Sequence, residues 1–233
     1  MDAEEILASH FEKIDFRQMI SLYLRFIVAR ETSMLAESYI DTVTNGIGRI
    51  SEQTAIIVRA AQAIGESALG GNKVFVFDSR GIIDNEMVNR ASGLALFRQA
   101  TAGRTILTSG DSIVVSSITG EDEASQSIIA EAKDAGTKVI SIAPSGILSD
   151  SADIALLNDL DPDNGVIDLS GVGDPFCPVS GIINAAIAWM VVAETVMFII
   201  GQGKQPTVLC GEYIEGGRGK YMEAIKRFSA MGY

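Results

Sequence analysis

Five short runs rich in β-branched residues, each followed by a turn and most by a helical stretch, constrain the fold of this chain more than any other feature. They read KVFVFD at 73–78, SIVVSS at 112–117, TKVISIA at 137–143, DIALLN at 153–158 and TVLCGE at 207–212. Their apolar residues do not alternate strictly with polar ones, which is typical of strands buried on both faces. The pattern predicts a three-layer α/β fold, in which a parallel sheet of about five strands lies between helices.

Two helical segments precede the first of these runs. Apolar residues recur at helical spacing over 2–30 and 31–69, and Gly70-Gly71 ends the second segment. We therefore expect residues 1–70 to form an N-terminal helical hairpin and residues 71–233 to form one α/β unit.

Other helices are predicted between and after the strands. Between the first two strands, a helix predicted to close at Gly93 precedes LALFR, a candidate for a further short strand. The remaining helices are expected at 122–135, 179–201 and 218–229.

The charge balance limits the partners of the chain. Its 233 residues carry a formal net charge of −12 and no run of Lys or Arg. Nucleic acids and anionic membranes require basic surface, so neither is an expected partner. Two cysteines and one histidine give no zinc spacing, and we predict no metal and no other cofactor. Both cysteines are expected to be reduced, in the cytoplasm.

One segment imitates a membrane span. Residues 182–200 are almost entirely apolar and close to the length needed to cross a bilayer. However, Glu194 lies inside the segment, and a helix that is apolar all round is equally typical of a protein core. The acidic start of the chain is also unlike a signal peptide. We expect a buried helix rather than a span.

Polar residues follow two of the predicted strands at the edge where open α/β sheets hold ligands. Asp78-Ser79-Arg80-Gly81 follows the first strand, and Ser116, Ser117 and Thr119 end the second. Hydroxyls and backbone N–H groups at a helix N-terminus can bind an anion. Ser and Thr are also the usual helix N-caps, so capping explains these residues equally well.

Three parts of the chain resemble the sugar isomerase (SIS) domain family. Residues 110–143 are similar to the family's strand, Ser-x-Ser-Gly loop, helix and next strand. NEMVNRASGLAL at 85–96 resembles a phosphoheptose-isomerase-like subgroup, as do 177–194 and 205–217. The resemblance implies a doubly wound, flavodoxin-like fold and a phosphosugar ligand. We also expect a homodimer or a higher homo-oligomer.

The resemblance implies that two loops bind the sugar phosphate. The first loop lacks a Gly and the Ser of the family pattern, and Arg80 stands where that Ser is expected. Arg80 either pairs with phosphate or forms an internal ion pair with Asp78 or Glu86. Three carboxylates at 121–123 would repel a phosphate, which leaves a ligand without phosphate open. The predicted binding residues are Ser79, Arg80, Ser116, Ser117, Thr119 and Asp122.

A catalytic role is implied for one residue. Glu86 lies at the position of a catalytic-site Glu in phosphoheptose isomerase, and a carboxylate can move the proton in aldose–ketose isomerisation. Its alternative role is a helix ion pair with Arg90. The late helix 179–201 has no counterpart of that enzyme's histidine, and His10 is expected to be a surface or packing residue.

Two functions follow from these residues. The first is a phosphosugar isomerase or a related phosphosugar-processing enzyme. The second is a non-catalytic sugar-phosphate sensor that has lost the isomerase site.

Overall fold

A computed structural model describes residues 34–88, 90–158, 165–211 and 213–233. The chain divides into two compact units, Met1–Thr42 and Val43–Tyr233. The second unit contains the whole sheet. The helix predicted over 2–30, with His10, lies outside the described residues.

The sheet is parallel throughout and has five strands in the order β2-β1-β3-β4-β5. Because the chain adds β2 on one side of β1 and β3 to β5 on the other, the sheet is doubly wound and its order reverses between β1 and β3. The predicted fold class is confirmed. The strands are β1 (Val74–Asp78), β2 (Phe97–Gln99), β3 (Ser112–Ser116), β4 (Lys138–Ala143) and β5 (Ile154–Leu157).

Helices cover both faces of this sheet. Side chains of one strand alternate between the two cores: Val74 and Val76 join one, and Phe75 and Phe77 join the other. This double burial explains why the strand sequences are apolar without a break. The helices are α1 (residues 34–50), α2 (Thr54–Leu69), α3 (Ile82–Met87), α4 (Glu123–Asp134), α5 (Ile147–Ser151), α6 (Ser180–Gly201) and α7 (Gly217–Met231).

Helix α6 is the segment that imitates a membrane span. It is long and apolar enough to cross a bilayer, and 44% of its most apolar window is buried inside the protein. It packs closely on α2, where a Cβ added to Gly65 would lie 2.2 Å from the ring of Phe198. A single helix with this composition is equally typical of a soluble core, so it is weak evidence for a membrane.

One predicted strand is wrong. TVLCGE at 207–212 does not enter the sheet, and within it only Val208 forms a bridge, antiparallel to Leu94. Thr207 and Leu209 are buried whereas Val208 is 46% exposed, so this segment is covered on one face only. The fifth strand is β2, which lies within the LALFRQ segment.

Two helix boundaries also differ from the predictions. The segment 31–69 is interrupted by a 3₁₀ turn at Ser51–Gln53. The helix after β1 ends at Met87 rather than at Gly93, because Val88 is already extended. Gly93 instead closes a turn in which its N–H donates to the carbonyl of Arg90.

The outer edge of β5 is covered by a side chain. The Gln53 amide nitrogen donates to the carbonyl of Leu157 at 2.6 Å, and the N–H of Leu157 donates to the Gln53 amide oxygen at 2.7 Å. The primary amide thus pairs with the strand through one donor and one acceptor, as a neighbouring peptide group would.

Candidate functional site

The two predicted loops begin side by side at the point where the strand order reverses. Asp78 at the end of β1 is the register partner of Ser116 at the end of β3. Crevices at such a point hold the ligands of open α/β sheets. The loops Asp78–Gly81 and Ser117–Asp122 therefore line the same crevice.

In the first loop, Asp78 organises the backbone. Its carboxylate is buried, and it accepts hydrogen bonds from the N–H of Arg80 at 2.9 Å and of Ile83 at 3.1 Å. An aspartate that accepts backbone N–H groups in this way holds a turn at the start of a helix. Ser79 and Arg80 lie at the exposed tip of the turn.

In the second loop, Ser117 and Gly120 close a tight turn. The N–H of Gly120 donates to the Ser117 hydroxyl oxygen at 2.9 Å, and Gly120 has a φ of 72°, which favours glycine. The Ser117 hydroxyl in turn donates to a carboxylate oxygen of Asp122. Thr119 accepts only a long bond, 3.3 Å, from the N–H of Glu121.

Asp122 is the centre of this second loop. It is the N-cap of α4, and its other carboxylate oxygen accepts the N–H of Ser125 at 2.9 Å. Burial would raise the pKa of Asp122, but hydrogen bonds from Ser117, Ser125 and Ser79 outweigh it and lower the pKa below the ordinary value. The Ser79 interaction connects the two loops, since Ser79 belongs to the first loop.

A buried amide supports the loops from below. The Asn184 amide nitrogen, on α6, donates to the Ser116 hydroxyl at 3.0 Å and to the Ser117 carbonyl at 3.3 Å. Asn158, just after β5, donates to the Asn184 amide oxygen at 2.7 Å. Asn184 is fully buried, and sequence reasoning did not select it. Its signal was an amide in an apolar helix.

Glu86 lies outside the two loops, on the side of α3 that faces α6. Its carboxylate accepts the indole N–H of Trp189 at 3.1 Å and lies 3.5 Å from the guanidinium of Arg90. The Arg90 pair considered from the sequence is therefore present. The Glu86 side chain is 28% exposed and the Arg90 side chain 52% exposed.

Asp84 is a second carboxyl of α3 that sequence reasoning missed. It is 6% exposed, it accepts the amide of Gln99 at 3.0 Å, and its other oxygen has no hydrogen-bond partner among the described residues. Burial raises its pKa to about 6, the Asp78 carboxylate adds to this, and the Gln99 bond opposes it. Residues two apart point to different sides of a helix, so Asp84 and Glu86 cannot both face one ligand.

Of the predicted binding residues, Ser79, Ser117 and Asp122 form one hydrogen-bonded group. Ser116 points to Asn184 instead, while Arg80 and Thr119 lie in the same two loops. Among the described residues, no group of three or more His, Cys, Asp or Glu could hold a metal ion.

Comparison with solved structures identifies this arrangement. The chain matches the structure of E. coli CFT073 c3406 in complex with a sugar phosphate, with a TM-score of 0.50 and 16% identity, over 70% of this chain and 91% of that one. The chain has the SIS fold. In this SIS fold the two loops described above form the crevice at the carboxyl ends of β1 and β3.

Sequence comparison adds relatives without a described activity. A UPF0309 protein of Streptomyces griseus is 24% identical over 229 residues, which covers 79% of this chain and 91% of the relative. The UPF0309 protein SCO4393 of Streptomyces coelicolor is 22% identical and covers 78% and 90%. No family model matches this SIS-fold chain.

Proposed function

We propose that this chain is a member of the SIS family that binds a sugar phosphate between β1 and β3 and isomerises it. One observation carries the proposal: hydroxyl and backbone donors of two loops, from Ser79, Ser117 and Ser125, converge on one carboxylate. Donors that converge on one anionic group at the start of a helix also suit a phosphate. The sugar phosphate held by the neighbouring structure supports a ligand of this class.

The proposed base is Glu86. Isomerisation between aldose and ketose moves one proton between two carbons through an enediol, and a carboxylate fixed near those carbons can carry it. Arg90 and Trp189 contact one oxygen of Glu86, which leaves its second oxygen for the substrate. The contacts hold the carboxylate in one orientation, which favours proton transfer.

The same contacts favour a second candidate, a sugar-phosphate sensor without catalysis. In that case Glu86 only connects α3 to α6 through Trp189 and Arg90. The ligand site is the same in both candidates. They differ only in whether a proton leaves the substrate.

The remaining parts of the proposal rest on the sequence. We propose a cytoplasmic protein without a nucleic-acid or membrane partner, since its net charge is −12. We also propose a homodimer or higher homo-oligomer. Light scattering of the full chain tests the assembly.

Proton exchange separates the two candidates without knowledge of the product. A panel of aldose and ketose phosphates is incubated with the protein in D₂O, and NMR follows deuterium at the carbon next to the carbonyl. An isomerase incorporates deuterium, and Glu86→Gln abolishes this while the protein stays folded. Glu52→Gln, an exposed change in the 3₁₀ turn, is the matched control. Binding without exchange in the wild type would support the sensor.

A further inference from the structure

Asp122 holds the hydrogen atoms that a phosphate in this crevice would need. A serine hydroxyl has one hydrogen to donate, and so does a backbone N–H. Ser117 donates its hydrogen to one oxygen of Asp122, and the N–H of Ser125 donates to the other. The Ser117 oxygen is itself occupied by the N–H of Gly120. A phosphate cannot use these donors while the carboxylate keeps them.

The charge of the helix end leads to the same conclusion. The N-terminus of α4 favours one negative group within its first turn. Asp122 already provides that charge at the cap, and Glu121 and Glu123 add two more on either side. A dianion would meet repulsion that a neutral hydroxyl would not.

We propose that Asp122 is an internal competitor for phosphate, a specificity-determining residue that weakens phosphorylated sugars relative to their unphosphorylated forms. This inference rests on the proposed function, because it concerns the same crevice. A phosphate binds only when the Asp122 side chain turns away and releases Ser117 and Ser125. A sugar hydroxyl, in contrast, can donate directly to the carboxylate.

Two substitutions at Asp122 remove the charge but keep a helix cap. Asparagine and serine are both good N-caps, so Asp122→Asn and Asp122→Ser should fold. Glu123→Gln is the matched control, because it removes one charge from the same helix end without touching Ser117. Thermal melts of all four proteins verify folding, and the serine variant replaces the asparagine variant if that one is unstable.

Isothermal titration with inorganic phosphate, one sugar phosphate and its dephosphorylated sugar tests the competition. We expect Asp122→Asn to bind both phosphate probes at least about tenfold more tightly than the wild type, since one adjacent charge is removed and the donors are released. Affinity for the dephosphorylated sugar should not rise, and Glu123→Gln should change phosphate binding far less.

The outcomes separate this inference from the proposed function. Equal gains in Asp122→Asn and Glu123→Gln would reduce the effect to general charge and overturn the inference. Wild-type binding of the sugar phosphate without a gain in either Asp122 variant would overturn the inference and keep the function. Tighter inorganic phosphate in the variants, with no sugar phosphate bound by any protein, would support the inference and overturn the function. Failure of every probe with every protein would overturn both.

Discussion

Asn184 donates a hydrogen bond to the hydroxyl of Ser116, and this bond joins helix α6 to the start of the second ligand loop. Ser116 is the last residue of β3, and Ser117 follows it into the crevice. Because the amide is fully buried, each of its partners depends on it for hydrogen bonding. Asn184 therefore fixes where the loop leaves the sheet.

Asn184→Ala should destabilise the protein by about 2 to 4 kcal/mol, because it leaves Ser116, Ser117 and Asn158 without a buried partner. Urea denaturation measures the loss. The control is Thr195→Val on the same helix, whose buried hydroxyl donates only to the carbonyl of Val191 one turn earlier. A cost for Asn184→Ala no larger than that of Thr195→Val would contradict the assignment.

Asp78→Ala should lower the free energy of unfolding by about 1 to 3 kcal/mol, since two backbone N–H groups of the first loop lose their acceptor. Asp78→Asn keeps one acceptor oxygen and should cost less. Chemical denaturation compares the two variants. An alanine variant of unchanged stability but altered sugar affinity would show that Asp78 contacts the ligand instead of holding the loop.

Asp84→Asn should stabilise the protein above pH 6. A carboxyl whose folded pKa is raised to about 6 from its ordinary 3.8 contributes stability that is complete below about pH 4 and is lost as the pH rises through 6. The neutral amide avoids this loss, and we expect a gain of about 1 kcal/mol at pH 8 after solvent screening. Melting temperatures from pH 4.5 to 8 test the prediction.

The control for Asp84 is another buried carboxyl with a full set of donors. Asp111 accepts the N–H of Lys73 and both the N–H and the hydroxyl of Thr108. Asp111→Asn should therefore destabilise the protein at pH 8, where Asp84→Asn stabilises it. A flat pH profile for the Asp84 difference would disprove the effect of burial on this group.

Glu86→Leu should change the fluorescence of the single tryptophan, because the indole N–H of Trp189 loses its acceptor. We expect a stability loss of about 1 kcal/mol, the usual value of one hydrogen bond. Glu86→Gln keeps an acceptor oxygen and should leave both the emission and the stability close to those of the wild type. Identical spectra for the leucine variant would place Trp189 away from Glu86.

The sheet was predictable because the burial of each strand is visible in that strand's own sequence. Residues such as Val74 to Phe77 face a helix layer on both sides, so their sequence has no polar alternation. The same criterion failed at TVLCGE, where Val208 is exposed between two buried neighbours and the backbone pairs outside the sheet. Apolar content predicted burial there, but the number of covered faces depended on distant residues.

The site was predictable only in part, for a related reason. Ser79, Ser117 and Asp122 follow strands, and parallel strands end at one edge, so their proximity follows from the topology. The direction of each hydrogen bond does not, and neither does the use of Asp122 as an acceptor for Ser117. Asp84 and Asn184 act through Gln99 and Ser116, partners that no local pattern relates to them.

The side-chain pairing of Gln53 with Leu157 has a consequence for colloidal behaviour. An open strand edge is a template for another chain, and proteins suppress this by covering the edge. Gln53 occupies both backbone groups of Leu157, so a second molecule cannot extend the sheet at that residue. Gln53→Ala should therefore raise the rate of thioflavin-positive aggregation at elevated temperature more than it lowers the melting point. One glutamine then serves the solubility of the chain, independently of what the crevice binds.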